Sequence, residues 1–155
     1  TMPSEELLGQ RQEVIDIDGN FRVREHFVRK LADIYYPKML ETYKSLQHTG
    51  DYHFTSEQVG IRSLKNVCLA YLVRTEKPEA IELCVRQFDT ATNMTDSIHA
   101  LSLLCQVDCP EKERALAAFY ERWKQDPLVM CKWLAVQASS KLPGTLEKVQ
   151  KLSAD

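Results

Sequence analysis

Long apolar runs are missing from these 155 residues: no uninterrupted stretch approaches the roughly 20 residues of a membrane-spanning helix, and nothing resembles a secretory signal. A soluble chain with no membrane partner is expected. A surplus of either charge is missing too, since 20 basic and 22 acidic residues interleave to a net charge of -2. That balance gives no reason to expect a phosphate-backbone ligand, so no nucleic-acid partner is expected. The four histidines, His26, His48, His53 and His99, include no two that are four apart. A zinc site built from two imidazoles on one helix face is thereby excluded. The serines have no companions patterned for a nucleophilic triad, and there is no glycine-rich phosphate loop.

Cysteine is present but odd in number. Cys68, Cys84, Cys105, Cys109 and Cys131 lie mostly within apolar helical patterns and read as reduced, half-buried small hydrophobes of a cytoplasmic protein. Cys105 and Cys109 can share a helix face or end, but without two further ligands nearby no metal site is expected there.

Glycine is scarce, strand alternation is nearly absent, and prolines fall where helices should begin, which predicts an all-helical chain. Ser4 is placed to cap a short opening helix. Val14 to Asn20 reads as a turn punctuated by Asp18-Gly19-Asn20. From Phe21 to Leu46 an amphipathic stripe runs through Pro37, which predicts one long helix kinked near Tyr36. His48 to Phe54 reads as a loop. Thr55-x-x-Gln58 has the form of a capping box, with Phe54 and Val59 placed as a hydrophobic staple. Later helices should start near residues 78, 94, 110, 127 and 145, steps of about 16 to 18 that make a helix-turn-helix unit of roughly 33. The expected fold is therefore all-α, a single domain over residues 1–155 built as a two-layer superhelical array of antiparallel helix hairpins.

Several uncommon residue combinations then occur in one order: Arg62, Leu64-Lys65-Asn66, Cys68-Leu69 and Leu72; Gln87-Phe88, Ala91 and Asn93-Met94-Thr95-Asp96; Phe119-Tyr120 and Trp123; Leu128-Val129-Met130, Lys132-Trp133 and Gln137-Ala138. With Pro3-Ser4-Glu5 and Ile15-Asp16 upstream, this resembles the carboxy-terminal helical domain of the aminopeptidase N family, zinc metallo-aminopeptidases. The resemblance spans nearly the whole chain. It implies a fragment of a peptidase that removes neutral or basic residues from peptide amino-termini, without its reaction centre. The family's His-Glu-x-x-His and Gly-x-Met-Glu-Asn motifs are not in this sequence. The resemblance accordingly implies zinc in the parent enzyme, no cofactor or catalytic residue here, and two partners: the catalytic domain of the same parent chain and the parent's peptide substrates. In the family this domain roofs the catalytic domain and encloses a cavity. Later helices that bring basic residues to the internal channel would follow, and the ends at Thr1-Met2 and Ser153-Ala154-Asp155 read as cuts from a longer protein. Apolar surface left open by the missing parts would let the piece self-associate non-natively. Two departures stand out: Cys131 where related sequences commonly have Asp, and Thr92 where Asn often precedes the Asn-Met-Thr-Asp motif.

Each tempting motif has two readings. Asn93, Thr95 and Asp96 are candidates for facing the interior cavity, and equally form a helix amino-terminus in which Asn93 accepts amides, Asp96 faces the dipole and Met94 packs inward. Lys132-Trp133 is a channel wall, or Trp133 and Trp123 are core anchors that each need an acceptor for the ring nitrogen. Arg62, Lys65 and Asn66 share a helix, where Asn66 suggests a polar bond to a neighbouring loop; substrate contact is the other reading. Tyr35-Tyr36 and Tyr52-x-Phe54 are an aromatic patch or the edge of a core. For the chain as a whole, the second reading is an independent helical-repeat module that binds a protein partner along a concave surface.

Overall fold

A computed structural model describes residues 3–47 and 52–154. Among these residues every regular element is a helix: α1 (Glu5–Gly9), α2 (Ile17–Ile34), α3 (Tyr36–Ser45), α4 (Ser56–Val73), α5 (Pro78–Thr90), α6 (Met94–Leu104), α7 (Glu111–Trp123), α8 (Pro127–Ala138) and α9 (Thr145–Leu152). Helix α4 packs against α2 and α6, and α6 against α8, to form one layer. The other layer is α3, α5 and α7, with α3 paired to α4, α5 to α6 and α7 to α8. The result is a two-layer array of helix hairpins, as the spacing of helix starts predicts.

One apolar core threads the array. Leu69 and Leu72 of α4, Cys84 of α5, Leu101 and Leu104 of α6 and Phe119 of α7 lose essentially all contact with solvent. Each such side chain contributes roughly 1.5–3 kcal/mol by burial. Starts and stops follow side-chain chemistry. Ser4, Thr55, Asn93 and Asp126 each accept a backbone N–H in the first turn of the helix they precede. Pro78 and Pro127 occupy first positions, where a missing N–H costs nothing.

Three local expectations are corrected. The turn before α2 is shorter than Val14 to Asn20: Asp16 caps the helix, accepting the Gly19 N–H at 2.8 Å, so Asp18-Gly19-Asn20 lies inside the first turn. The Asp16 carboxylate folds over Gly19 so closely that a Cβ there would collide with it. The same glycine that reads as turn punctuation is a helical residue making room for a cap. At Pro37 the chain breaks rather than kinks. Tyr35, with φ −98° and ψ 10°, separates α2 from α3, and Pro37 sits in the first turn of the new helix. The Phe54–Val59 staple does not form, because Phe54 is 83 % exposed. Thr55 still accepts the Gln58 N–H at 3.3 Å. Most of the expected His48–Phe54 loop lies outside the described residues.

Four of the five cysteines are buried rather than half-buried, and Cys131 is exposed; all five are free thiols. Trp133 donates its ring N–H to the Leu116 carbonyl at 3.0 Å and lies against Tyr120, so it anchors α8 to α7. Trp123 packs on Phe119. Its ring nitrogen has no acceptor among the described residues. The Tyr35-Tyr36 pair is divided: Tyr36 packs against the core beneath the Lys77 ammonium, whereas Tyr35 is exposed.

Candidate functional site

Most of the polar side chains buried in the core gather between α4, α5 and the start of α6; Gln137 of α8, bonded to the Trp133 carbonyl, lies apart from them. Lys65 and Asn66 are consecutive on α4, so their side chains diverge by about 100° around the axis, yet Asp96 in the first turn of α6 reaches both. The Lys65 ammonium donates to Asp96 Oδ2 at 2.6 Å and the Asn66 amide to Oδ1 at 2.9 Å. Asn93 closes the arrangement from the cap position: its carbonyl accepts the Asp96 N–H at 2.9 Å and its amide donates to Oδ2 at 3.1 Å. Gln87 of α5 donates to Asn66 Oδ1 at 2.8 Å and to the Asp96 backbone carbonyl, and accepts from the Tyr43 hydroxyl at 3.1 Å. His99, one turn along α6, meets the Asn66 carbonyl at 3.0 Å through Nε2. Only an N–H can serve a carbonyl, so Nε2 carries the proton.

The electrostatics follow from this geometry. Burial alone would push the Asp96 carboxyl up, but the hydrogen bonds from Lys65, Asn93 and Asn66 and the Lys65 charge outweigh it and hold Asp96 below the usual carboxylate range. Burial lowers His99 and keeps it neutral. The Tyr43 phenol is pushed up by burial to about 12. No fully buried side-chain nitrogen or oxygen among the described residues lacks a partner. Asp96, with three donors on its carboxylate, is a fixed anchor for the α6 amino-terminus, not a proton acceptor waiting for a substrate.

This network forms one wall of an open cleft of about 560 Å³. Of the three candidates read from the sequence, the structure brings Asn93 and Asp96 to the cleft, while Thr95 is exposed and does not line it. Both halves of the amino-terminal reading are visible, the amide accepted by Asn93 and the carboxylate at the dipole, and Met94 packs against the core. Sequence reasoning missed Gln87 as the link across α5 and His99 as the cap on the Asn66 carbonyl. It assigned Asn66 a loop partner, whereas its side-chain partners are Asp96 and Gln87. Arg62, Lys65 and Asn66 on a helix whose other buried residues are all apolar are the signal that was available: polar residues facing a core require polar company. No group of three His, Cys, Asp or Glu side chains that could hold a metal occurs among the described residues.

A solenoid of helix hairpins crossed by one closed polar network defines a structural domain. Residues 1–155 match, end to end, the family described as a domain of unknown function (DUF3458_C) with ARM repeats, and the chain belongs to that family. It is 32% identical over 152 residues to aminopeptidase N of Escherichia coli strain K12, covering 98% of this chain and 17% of that protein. Aminopeptidase N of Haemophilus influenzae is 31% identical over the same share of each. Among solved structures, the crystal structure of Legionella pneumophila aminopeptidase A in complex with aspartic acid superposes with a TM-score of 0.85 at 31% identity, over 100% of this chain and 19% of that one. The chain thus spans less than a fifth of the length of these relatives.

Proposed function

We propose that these residues form the first part of the carboxy-terminal helical domain of a zinc-dependent aminopeptidase and wall the chamber in which amino-terminal residues are removed from peptides. The observation that supports this most is the end-to-end likeness, in sequence and in fold, to segments of much longer aminopeptidases. The domain's contribution is exclusion and positioning: a rigid wall keeps folded proteins out and holds the remainder of a peptide while residues elsewhere do the chemistry. Rigidity is what the Lys65–Asp96 network supplies, tying three helices at the cleft through buried side chains that hydrogen-bond to one another.

Zinc, when bound in the parent, would polarise the scissile carbonyl and activate water. The residues described in this chain do not fit that role. His26, His53 and His99 have no second imidazole at helical spacing, and burial raises the thiols of Cys84 and Cys105, the latter to about 11, which disfavours the thiolate a metal needs. In this reading the metal is held by another part of the parent chain.

Unpartnered apolar faces agree with a wall torn from its building. Val23, Phe27 and Ile34 lie along one face of α2, and Leu64 and Val67 along one face of the neighbouring α4, all exposed. Helix α8 carries Leu128, Cys131 and Leu134 to solvent. These faces are where the catalytic domain and later helices of the parent would seat. A reduced compartment, the cytoplasm, suits five free cysteines. No helix among the described residues is long and apolar enough to cross a membrane. The reading is tested on the gene: a reading frame that continues upstream into His-Glu-x-x-His, with a further glutamate on the next helix, is expected. A frame without that motif would favour the independent interaction module instead.

A further inference from the structure

The cleft beside the polar network contains one side chain that the network does not use. Arg62, on α4 one turn before Asn66, is 7% exposed, yet it makes no hydrogen bond or ion pair among the described residues. Its guanidinium lies 4.9 Å from the centre of the Tyr52 ring, a cation–π contact. The N–H groups of the fork have no acceptor among the described residues. They are not sealed off either, because every fully buried side-chain nitrogen among the described residues has a partner. Arg62 lines the cleft.

Burying a cation without a counter-charge costs stability unless something else repays it. Here the surroundings do not. Among the described residues the cleft is lined by three cations, Arg62, Lys65 and Arg86, and one carboxylate, Asp96, which Lys65 already neutralises at 2.6 Å. Arg86 makes no ion pair among the described residues. A chain whose net charge is -2 thus concentrates positive charge in one open cavity. An arginine fork that lines a cleft has the geometry that takes a carboxylate through two parallel hydrogen bonds.

We propose that this cleft is a carboxylate-binding site, with Arg62 as the fork, Arg86 as the supporting charge at the rim, and a short peptide as the ligand. The choice of a peptide rests on the aminopeptidase reading; the choice of a carboxylate rests on Arg62. Two carboxylates are available on a peptide, the terminal one and that of an acidic side chain, and both have the chemistry the fork recognises.

Calorimetric titration of the chain with three acetylated peptides separates the cases: N-acetyl-tetraalanine with a free carboxyl group, its carboxy-terminal amide, and that amide with one alanine replaced by aspartate. The acetyl group blocks amino-terminal cleavage, so the readout is binding alone and stands or falls separately from the peptidase reading. At least one of the two acidic peptides should bind about tenfold or more tightly than the all-alanine amide, the loss expected for a charged hydrogen-bonded pair. Preference for the first identifies the terminal carboxylate, and preference for the third the side chain. Arg62→Met should abolish the preference while leaving the thermal midpoint unchanged or higher, because an arginine whose one contact partner is the Tyr52 ring, with no hydrogen-bond acceptor among the described residues, contributes packing that methionine can replace. Arg86→Gln should weaken the preference without changing the fold. Equal binding of all three peptides, binding of none, binding of inorganic phosphate with no peptide bound, or an Arg62→Met chain with a lowered midpoint would each overturn the proposal, the last by showing that Arg62 serves the fold.

Discussion

Asp96 concentrates more of the structure in one side chain than any other described residue: it caps its own helix through Asn93, pairs with Lys65, and bonds to Asn66. Removing one member of a buried pair leaves the other charge uncompensated, so Asp96→Ala should cost about 3 kcal/mol or more in urea unfolding. Replacing both members, as Lys65→Met with Asp96→Leu, should cost less than the sum of the two single changes. The pH dependence has a definite sign. The folded pKa of Asp96 lies below its unfolded value, so its contribution is complete above about pH 4 and is lost as pH falls through the folded pKa. The stability difference between wild type and Asp96→Asn should therefore be constant at neutral pH and shrink on acidification. His99 works the other way in charge but the same way in pH. Its pKa is lowered by burial, so below about pH 6.5 the unfolded chain takes up a proton that the folded chain refuses, and stability falls. His99→Gln should flatten the stability profile between about pH 6.5 and the lower folded value.

Helix beginnings were the most legible elements because one side chain decides each of them. Ser4, Thr55, Asn93, Asp126, Pro78 and Pro127 all stand where their chemistry says a helix starts. Gly19 shows the limit of such reading. Asp-Gly-Asn scores as a turn on its own residues, and only the carboxylate of Asp16, three positions back, explains why the glycine sits in a helix. Gly19→Ala should accordingly cost about 1 kcal/mol, the worth of the Asp16 cap that its Cβ would displace. The comparison is with Gly60, a helical glycine with open space around its Cβ position, where alanine should stabilise by about 0.5–1 kcal/mol. Pro37 marks another limit: proline dictates that something must give, but packing of α2 and α3 against α4 decides that the chain breaks at Tyr35. The site was half legible. Asn93 and Asp96 are local in sequence, whereas Gln87 and His99 join them only through contacts between helices.

At the scale of the molecule, the array closes its core but leaves apolar faces on α2, α4 and α8. A complete domain would hide them, and a piece of one should bury them against a second copy. Sedimentation of the isolated chain should show concentration-dependent self-association, reduced by Phe27→Glu together with Val67→Lys, both at exposed positions. A strictly monomeric chain at all concentrations would mean that these faces need no partner.

We propose a division of labour: these helices enclose and position, and the residues that hydrolyse lie on another stretch of the polypeptide. Turnover of a chromogenic alanine amide, measured with zinc on the purified 155-residue chain and on the longer gene product that contains it, tests this most directly. The chain alone should release no product, and the longer protein should release it continuously. Activity of the short chain that survives repurification, or an inert longer protein, would contradict the account.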